Sequence, residues 1–163
     1  MLDFLPITPD FNIESIYDID VLKLKEMGVK ALFFDLDSTL MKSKSGKFAY
    51  KTLQFLKDLS DNFKLAIVTN NTRQEYIKKA KAQTDIPIYF AARKPDITMI
   101  MIACNDLDIK PNEAAMIGDR PLSDMLAGKN AKMVTVLVDS ISKNKEGMLV
   151  RFVRFLERLT VKK

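Results

Sequence analysis

The chain has 163 residues, 47% hydrophobic and 29% charged, with 26 basic and 21 acidic side chains, a net charge of +5, one cysteine and no histidine. This balance excludes a disordered or membrane-embedded chain, and the missing histidine excludes any His-based triad, His-ligated zinc or His general base. Cys104 stands alone, so no internal disulfide forms and a reducing cytosol is expected.

In chain order, the first 18 residues carry Pro6 and Pro9 and read as an extended lead-in that packs on the domain surface. They have neither a basic n-region nor a long h-region, so a secretory signal is not expected. No apolar run approaches the ~20 residues of a spanning helix. Asp18 or Asp20 is placed to cap a short helix over 21–27 that Gly28 stops. Residues 1–28 thus form a lead-in plus one helix. The run 29–34, with Ala31-Leu32-Phe33-Phe34 at its heart, predicts a buried parallel strand. After Leu40 comes a polar loop over 42–47. A helix follows over 50–59 with Leu53, Phe55, Leu56 and Leu59 as its apolar stripe.

A second strand spans 65–68 and runs into Thr69-Asn70-Asn71-Thr72, followed by a lysine-rich helix over 73–83. A third strand over 86–90 contains Pro87, which suits a strand start or an edge. Past Lys94-Pro95, a helix starting at Asp96 carries Ile97, Ile100, Met101 and Cys104 at helical spacing. A fourth strand over 114–117 ends in Gly118-Asp119. Pro121 opens the next helix, which runs to about Gly128. A fifth strand covers 133–138, and a terminal amphipathic helix covers 145–163.

Strands alternating with helices predict an α/β fold, a Rossmann-like three-layer sandwich around a central parallel sheet of about five strands. The polar residues then collect where the strands end: Asp35 and Asp37, Thr69 and Asn70, Lys94, Asp119 and Asp124. In such sheets ligands bind at that edge. Asp35 and Asp37 lie two apart on an extended chain, so both can face one pocket. Paired carboxylates need a cation or a proton, and oxygen donors at this spacing suit Mg²⁺.

The motifs resemble those of the haloacid dehalogenase-like phosphotransferases, in the family's order. Phe34-Asp35-Leu36-Asp37-Ser38-Thr39-Leu40 is similar to the aspartate signature DxDxT, and Ile67-Val68-Thr69-Asn70 to the second motif. Lys94-Pro95 is similar to the lysine motif, and Gly118-Asp119 with Asp124 to the GDxxxxD motif. The lead-in helix, the Asp-Leu-Asp-Ser-Thr-Leu variant and Asn70-Asn71 resemble the YqeG-type branch, some of whose members are similar to phosphatidylglycerophosphate phosphatases. Arg120-Pro121 departs from the Gln-Leu common in that branch.

The resemblance implies one HAD-like domain over 1–163 and a Mg²⁺-dependent phosphomonoester hydrolase. Asp35 would form an aspartyl-phosphate and Asp37 would act as acid and base. Mg²⁺ would be held by Asp35, the Asp37 carbonyl and Asp119. Lys94, Thr69 and Asn70 would bind the phosphoryl group or substrate, and Asp124 would orient Lys94 or a metal-bound water. Only 41–62 and 72–93 separate the motifs, so no cap domain fits and the site is expected to be open to bulky substrates. A lipid headgroup leads among these. A protein, a nucleic-acid end, a soluble metabolite, transfer to another acceptor and a non-catalytic binding module are the alternatives.

The terminal helix carries Met148, Leu149, Phe152, Phe155, Leu156 and Leu159 beside Arg151, Arg154 and Arg158. Its ordinary reading packs that apolar stripe on the sheet; the other reading is contact with anionic lipid. The expected location is the cytoplasm, with the membrane surface as a peripheral station. A charge of +5 is too small to indicate nucleic acid, and no nucleic-acid partner is expected.

Overall fold

A computed structural model describes residues 7–142, 148–159 and 161. All strands run parallel in one six-stranded sheet of order β1-β6-β5-β2-β3-β4. The strands are β1 (Phe11–Ile13), β2 (Ala31–Phe34), β3 (Lys64–Val68), β4 (Ile88–Tyr89), β5 (Ala114–Gly118) and β6 (Val134–Val138). The helices are α1 (Val21–Glu26), α2 (Tyr50–Ser60), α3 (Gln74–Lys81), α4 (Thr98–Asp106), α5 (Leu126–Asn130) and α6 (Met148–Leu159).

β2 is the central strand, and all four of its residues are fully buried. Its side chains alternate as a strand dictates. Leu32 and Phe34 join a core with Leu24 of α1, Leu56 and Leu59 of α2 and Ile77 of α3. Ala31 and Phe33 join the opposite core with Ile100, Ala103 and Cys104 of α4 and Ala127 of α5. Burial on both faces explains why β2 is apolar throughout instead of alternating with polar residues.

The expected lead-in is corrected at residues 11–13. They form the edge strand β1, in register with β6 from Phe11↔Val136 to Ile13↔Val138. Asp10 clasps the pair, its Oδ2 accepting from Thr135 N at 2.8 Å and Thr135 Oγ1 at 3.1 Å. A strand this short, paired with a partner more than 120 residues away, leaves no local pattern to read. The third predicted strand shrinks to Ile88–Tyr89, since Pro87 has no N–H to give the ladder. Asp20 caps α1 by accepting from Lys23 N at 2.9 Å, and Gly28 ends it at φ +82°. Pro121–Met125 forms a π-helical turn ahead of α5.

From β2 the chain moves outward through β3 and β4, then returns to β5 on the other side of β2. The order therefore reverses between β2 and β5, and the crevice beyond their carboxyl ends is the natural ligand position. Among the described residues, loop 41–49 with α2 fills the first inter-motif segment and α3 with β4 the second, and no cap module is present.

The terminal helix differs from its ordinary reading. α6 sits at the carboxyl edge of β5 and β6 through polar contacts. Arg158 Nη2 donates to Val138 O and pairs with Asp139, each at 3.0 Å, and the buried Glu157 pairs with Arg120. The described part of its apolar stripe faces outward, with Phe152 and Phe155 each 58% and Leu159 66% exposed. The side chains of Met148, Leu149, Arg151 and Arg154 lie outside the described residues, as do residues 1–6 and 143–147. Among the described residues no helix is long and apolar enough to cross a membrane.

Candidate active site

β2, β3, β4 and β5 lead into the polar groups at this crevice, Asp35, Thr69, Lys94 and Asp119 in turn. Asp35 follows β2 directly, and its N–H donates to Ile117 O of β5 at 2.9 Å, which continues the ladder one residue past the strand. The turn after it folds tightly: Leu40 N and Met41 N donate back to Leu36 O at 3.0 and 3.2 Å, with Ser38 at φ +68°. This turn carries Thr39 inward. Its Oγ1 donates toward Asp119 Oδ1 at 3.1 Å and lies 3.4 Å from Asp35 Oδ2. Thr39 thus bridges the aspartates that end β2 and β5.

Lys94 enters from the loop after β4 and is almost wholly buried. Its ammonium donates to Asp35 Oδ1 at 2.8 Å, Asp124 Oδ1 at 2.7 Å and Val68 O at 2.6 Å, which satisfies all three protons. Burial alone would lower its pKa, but the charges of Asp124 and Asp35 outweigh burial and hold the lysine protonated. Asp124 is pushed up to about 6 by burial and by Asp35, against the pull of Lys94. Its Oδ2 accepts from Arg120 N at 3.1 Å.

Asp35, Asp119 and Asp124 each bring a carboxylate oxygen within 4.8 Å of the others, all three residues being buried. Three buried acids thus crowd together around the Lys94 ammonium in a low-dielectric site. All the side-chain donors are hard oxygens, so the set fits a small divalent cation such as Mg²⁺. Asp124 belongs to this cluster as well as to Lys94. The Asp37 side chain does not; it turns outward, where Tyr76 Oη donates to Oδ1 and Asn71 Nδ2 donates to Oδ2 at 3.0 Å. It faces an open pocket of about 320 Å³ lined by Ser43, Lys44, Asn70, Asn71, Arg73 and Tyr76 among others.

Asn70 and Thr69 serve their neighbours. Asn70 clasps the Lys94 backbone, with Oδ1 accepting from Lys94 N at 2.7 Å and Nδ2 donating to Lys94 O at 3.1 Å. The buried Thr69 accepts from Asn71 N through Oγ1 at 3.1 Å. Sequence reasoning assigned no role to Asn71, Tyr76, Thr39 or the Arg120–Glu157 pair. Thr39 carried a signal, since it stands inside the aspartate motif; Tyr76 and Glu157 carried none, because they meet their partners only in three dimensions.

Comparison with known proteins bears on this geometry. A HAD-hydrolase-like family model matches residues 91–150. The chain is 30% identical over 151 residues to the probable phosphatase YqeG of Bacillus subtilis (strain 168), covering 92% of this chain and 87% of that protein. It is 28% identical over 171 residues to phosphatidylglycerophosphate phosphatase 1, chloroplastic/mitochondrial, of Arabidopsis thaliana, covering 96% of this chain and 48% of that longer protein. Among solved structures, a HAD phosphatase from Thermococcus onnurineus superposes with a TM-score of 0.57 at 16% identity, over 73% of this chain and 89% of that one.

Proposed function

This chain belongs to the haloacid dehalogenase-like phosphatases, in the YqeG-type branch, and from that premise we propose a Mg²⁺-dependent phosphomonoesterase that works through an aspartyl-phosphate on Asp35. The observation that carries this reading is the Lys94 ammonium held between Asp35 and Asp124, beside Asp119, at the sheet's reversal point. A solvated surface lysine would have no reason to be buried against two acids.

In the proposed sequence an Asp35 oxygen attacks phosphorus and the ester P–O bond breaks. The leaving oxygen takes a proton from the Asp37 carboxyl group. Asp37, now a carboxylate, takes a proton from water as that water's oxygen attacks the phosphorus. The P–O bond to Asp35 then breaks and inorganic phosphate leaves, restoring both aspartates. Lys94 neutralises phosphoryl oxygens while keeping Asp35 aligned, and Asn70 holds the backbone that carries Lys94. Thr69 Oγ1, at the end of β3, is the hydroxyl we assign to a phosphoryl oxygen. Asp35, Asp119 and the Asp37 carbonyl would hold Mg²⁺, with Asp124 completing the acidic wall. The ion supplies positive charge against the approach of one anion to another.

Tyr76 and Asn71 fix Asp37 at the mouth of the 320 Å³ pocket, where the alcohol part of the substrate would lie. With no cap to enclose it, a large substrate such as a lipid headgroup suits this opening better than a small metabolite. The likeness to the phosphatidylglycerophosphate phosphatase supports the same class. Rapid acid quench with a ³²P-labelled phosphomonoester tests the chemistry. Wild-type protein should retain an acid-stable, hydroxylamine-labile label that Asp35→Asn lacks. A label that persists in Asp35→Asn overturns the assignment.

A further inference from the structure

The carboxyl edge of the sheet carries an apolar surface and a basic surface that the proposed chemistry does not use. α6 supplies the first. An ordinary surface helix turns its apolar stripe to the core, but here Phe152, Phe155, Leu156 and Leu159 are 45–66% exposed, while Glu157 is buried against Arg120. The helix is therefore attached by its charged side. Loop 41–49 supplies the second surface, with exposed Lys42, Lys44 and Lys47. Ser142 ties that loop to the segment leading into α6: its Oγ accepts from Ser43 N at 2.8 Å and bonds Ser38 Oγ at 3.1 Å. Beside it an apolar groove of about 630 Å³ is lined by Leu40, Phe48, Tyr50 and Ile141, with Lys42 and Lys47 also on its walls. Thr39 lines this groove and also contacts Asp35 and Asp119.

We propose that this edge is the face by which the protein lies on an anionic lipid bilayer, with α6 inserting Phe152, Phe155, Leu156 and Leu159 into the interface and Lys42, Lys44 and Lys47 meeting lipid phosphates. The inference builds on the lipid-phosphate reading above and identifies the surface that would serve it. Two observations select a bilayer over a second copy of the chain. The neighbouring charge is basic within a chain of net charge +5, which suits anionic lipid and opposes self-association. The apolar and basic groups also share the edge at which the candidate phosphate site opens, so a substrate embedded in the same bilayer would be presented to it. An amphipathic helix with a polar inner face and an aromatic outer face has the pattern of one that lies in the interface plane.

The test measures binding without turnover, so its result is independent of the phosphatase reading. The full chain is sedimented with phosphatidylcholine vesicles and with vesicles containing one third phosphatidylglycerol, at low and high salt. The expected result is binding to the anionic vesicles only, weakened by salt. Phe152→Ser with Phe155→Ser should lower the partition coefficient at least tenfold. Lys42→Glu with Lys44→Glu and Lys47→Glu should lower it similarly and remove the salt dependence. The chain has no tryptophan, so Phe155→Trp is a sole reporter whose emission should shift to the blue on adding anionic vesicles. Wild-type protein that ignores lipid charge, a double serine variant that binds as well as wild type, or a Phe155→Trp emission that anionic vesicles leave unmoved would each overturn the proposal. So would light scattering showing a dimer that the serine substitutions dissociate.

Discussion

Gly118 shows how little room the site leaves at the level of single residues. A Cβ built at this position would overlap the Asp124 side chain, so the absence of a side chain is what lets Asp124 reach Lys94. Gly118→Ala should destabilise the fold by about 1–3 kcal/mol and cut turnover by displacing Asp124; thermal melts and steady-state assays on the purified variant check both. Lys94 is the converse case. Lys94→Ala leaves Asp35 and Asp124 buried without their cation, a loss of about 3–5 kcal/mol, and added Mg²⁺ should recover part of it in a melt. Cys104 is buried among Ile100 and Ala103, and burial pushes its thiol up to about 11. A raised thiol pKa means less thiolate at neutral pH. Iodoacetamide should therefore label Cys104 slowly at neutral pH and quickly only on unfolding, as mass spectrometry of native and urea-treated samples would record. Fast native labelling would contradict this burial.

At the scale of elements, α3 and α6 each bring one side chain to the catalytic edge. α3 delivers Tyr76 to Asp37. Tyr76→Phe removes a donor to Asp37 worth about 1 kcal/mol, so Tm should fall by about 2–4 °C and kcat should fall as Asp37 loses its positioning. Asp37→Asn should lose about 10²–10⁴-fold while retaining Mg²⁺ binding through the backbone; calorimetry showing no metal binding would make its side chain a direct ligand. α6 delivers Glu157 to Arg120, which raises the Arg120 pKa and secures the residue that follows Asp119. Periodicity identified α6 as amphipathic but could not tell which side faces the protein. A stripe of phenylalanine and leucine reads the same whether it meets a sheet or a bilayer, and only the partners of Glu157 and Arg158 distinguish the two. Residues 11–13 carry no local strand signal for a related reason, because their stability comes from pairing with β6 and from the distant Thr135 donating to Asp10.

For the whole molecule, the cluster of Asp35, Asp119 and Asp124 makes metal binding a matter of stability as well as chemistry. A cation bound only by the folded state raises Tm by mass action. Calorimetry should show Tm rising with Mg²⁺ and falling with EDTA. Asp119→Asn should abolish the Mg²⁺-dependent rise. A rise that survives in Asp119→Asn would place the ion elsewhere.

Several properties were already decided by local chemistry in the chain. The apolar run 31–34, the strand-helix alternation and the polar residues at strand ends dictate a parallel sheet with a site at its carboxyl edge, because burial on both faces demands unbroken apolar strands. The motif spacing placed Asp35, Thr69, Lys94 and Asp119 at successive strand ends, and the short inter-motif segments left no room for a cap. Three matters were decided only by tertiary structure: the sixth strand, the orientation of Asp37 toward Tyr76 and Asn71, and the outward face of α6. Each depends on which distant groups meet, and the free energy of those meetings comes from pairings across tens to more than a hundred residues, where neither periodicity nor propensity carries information.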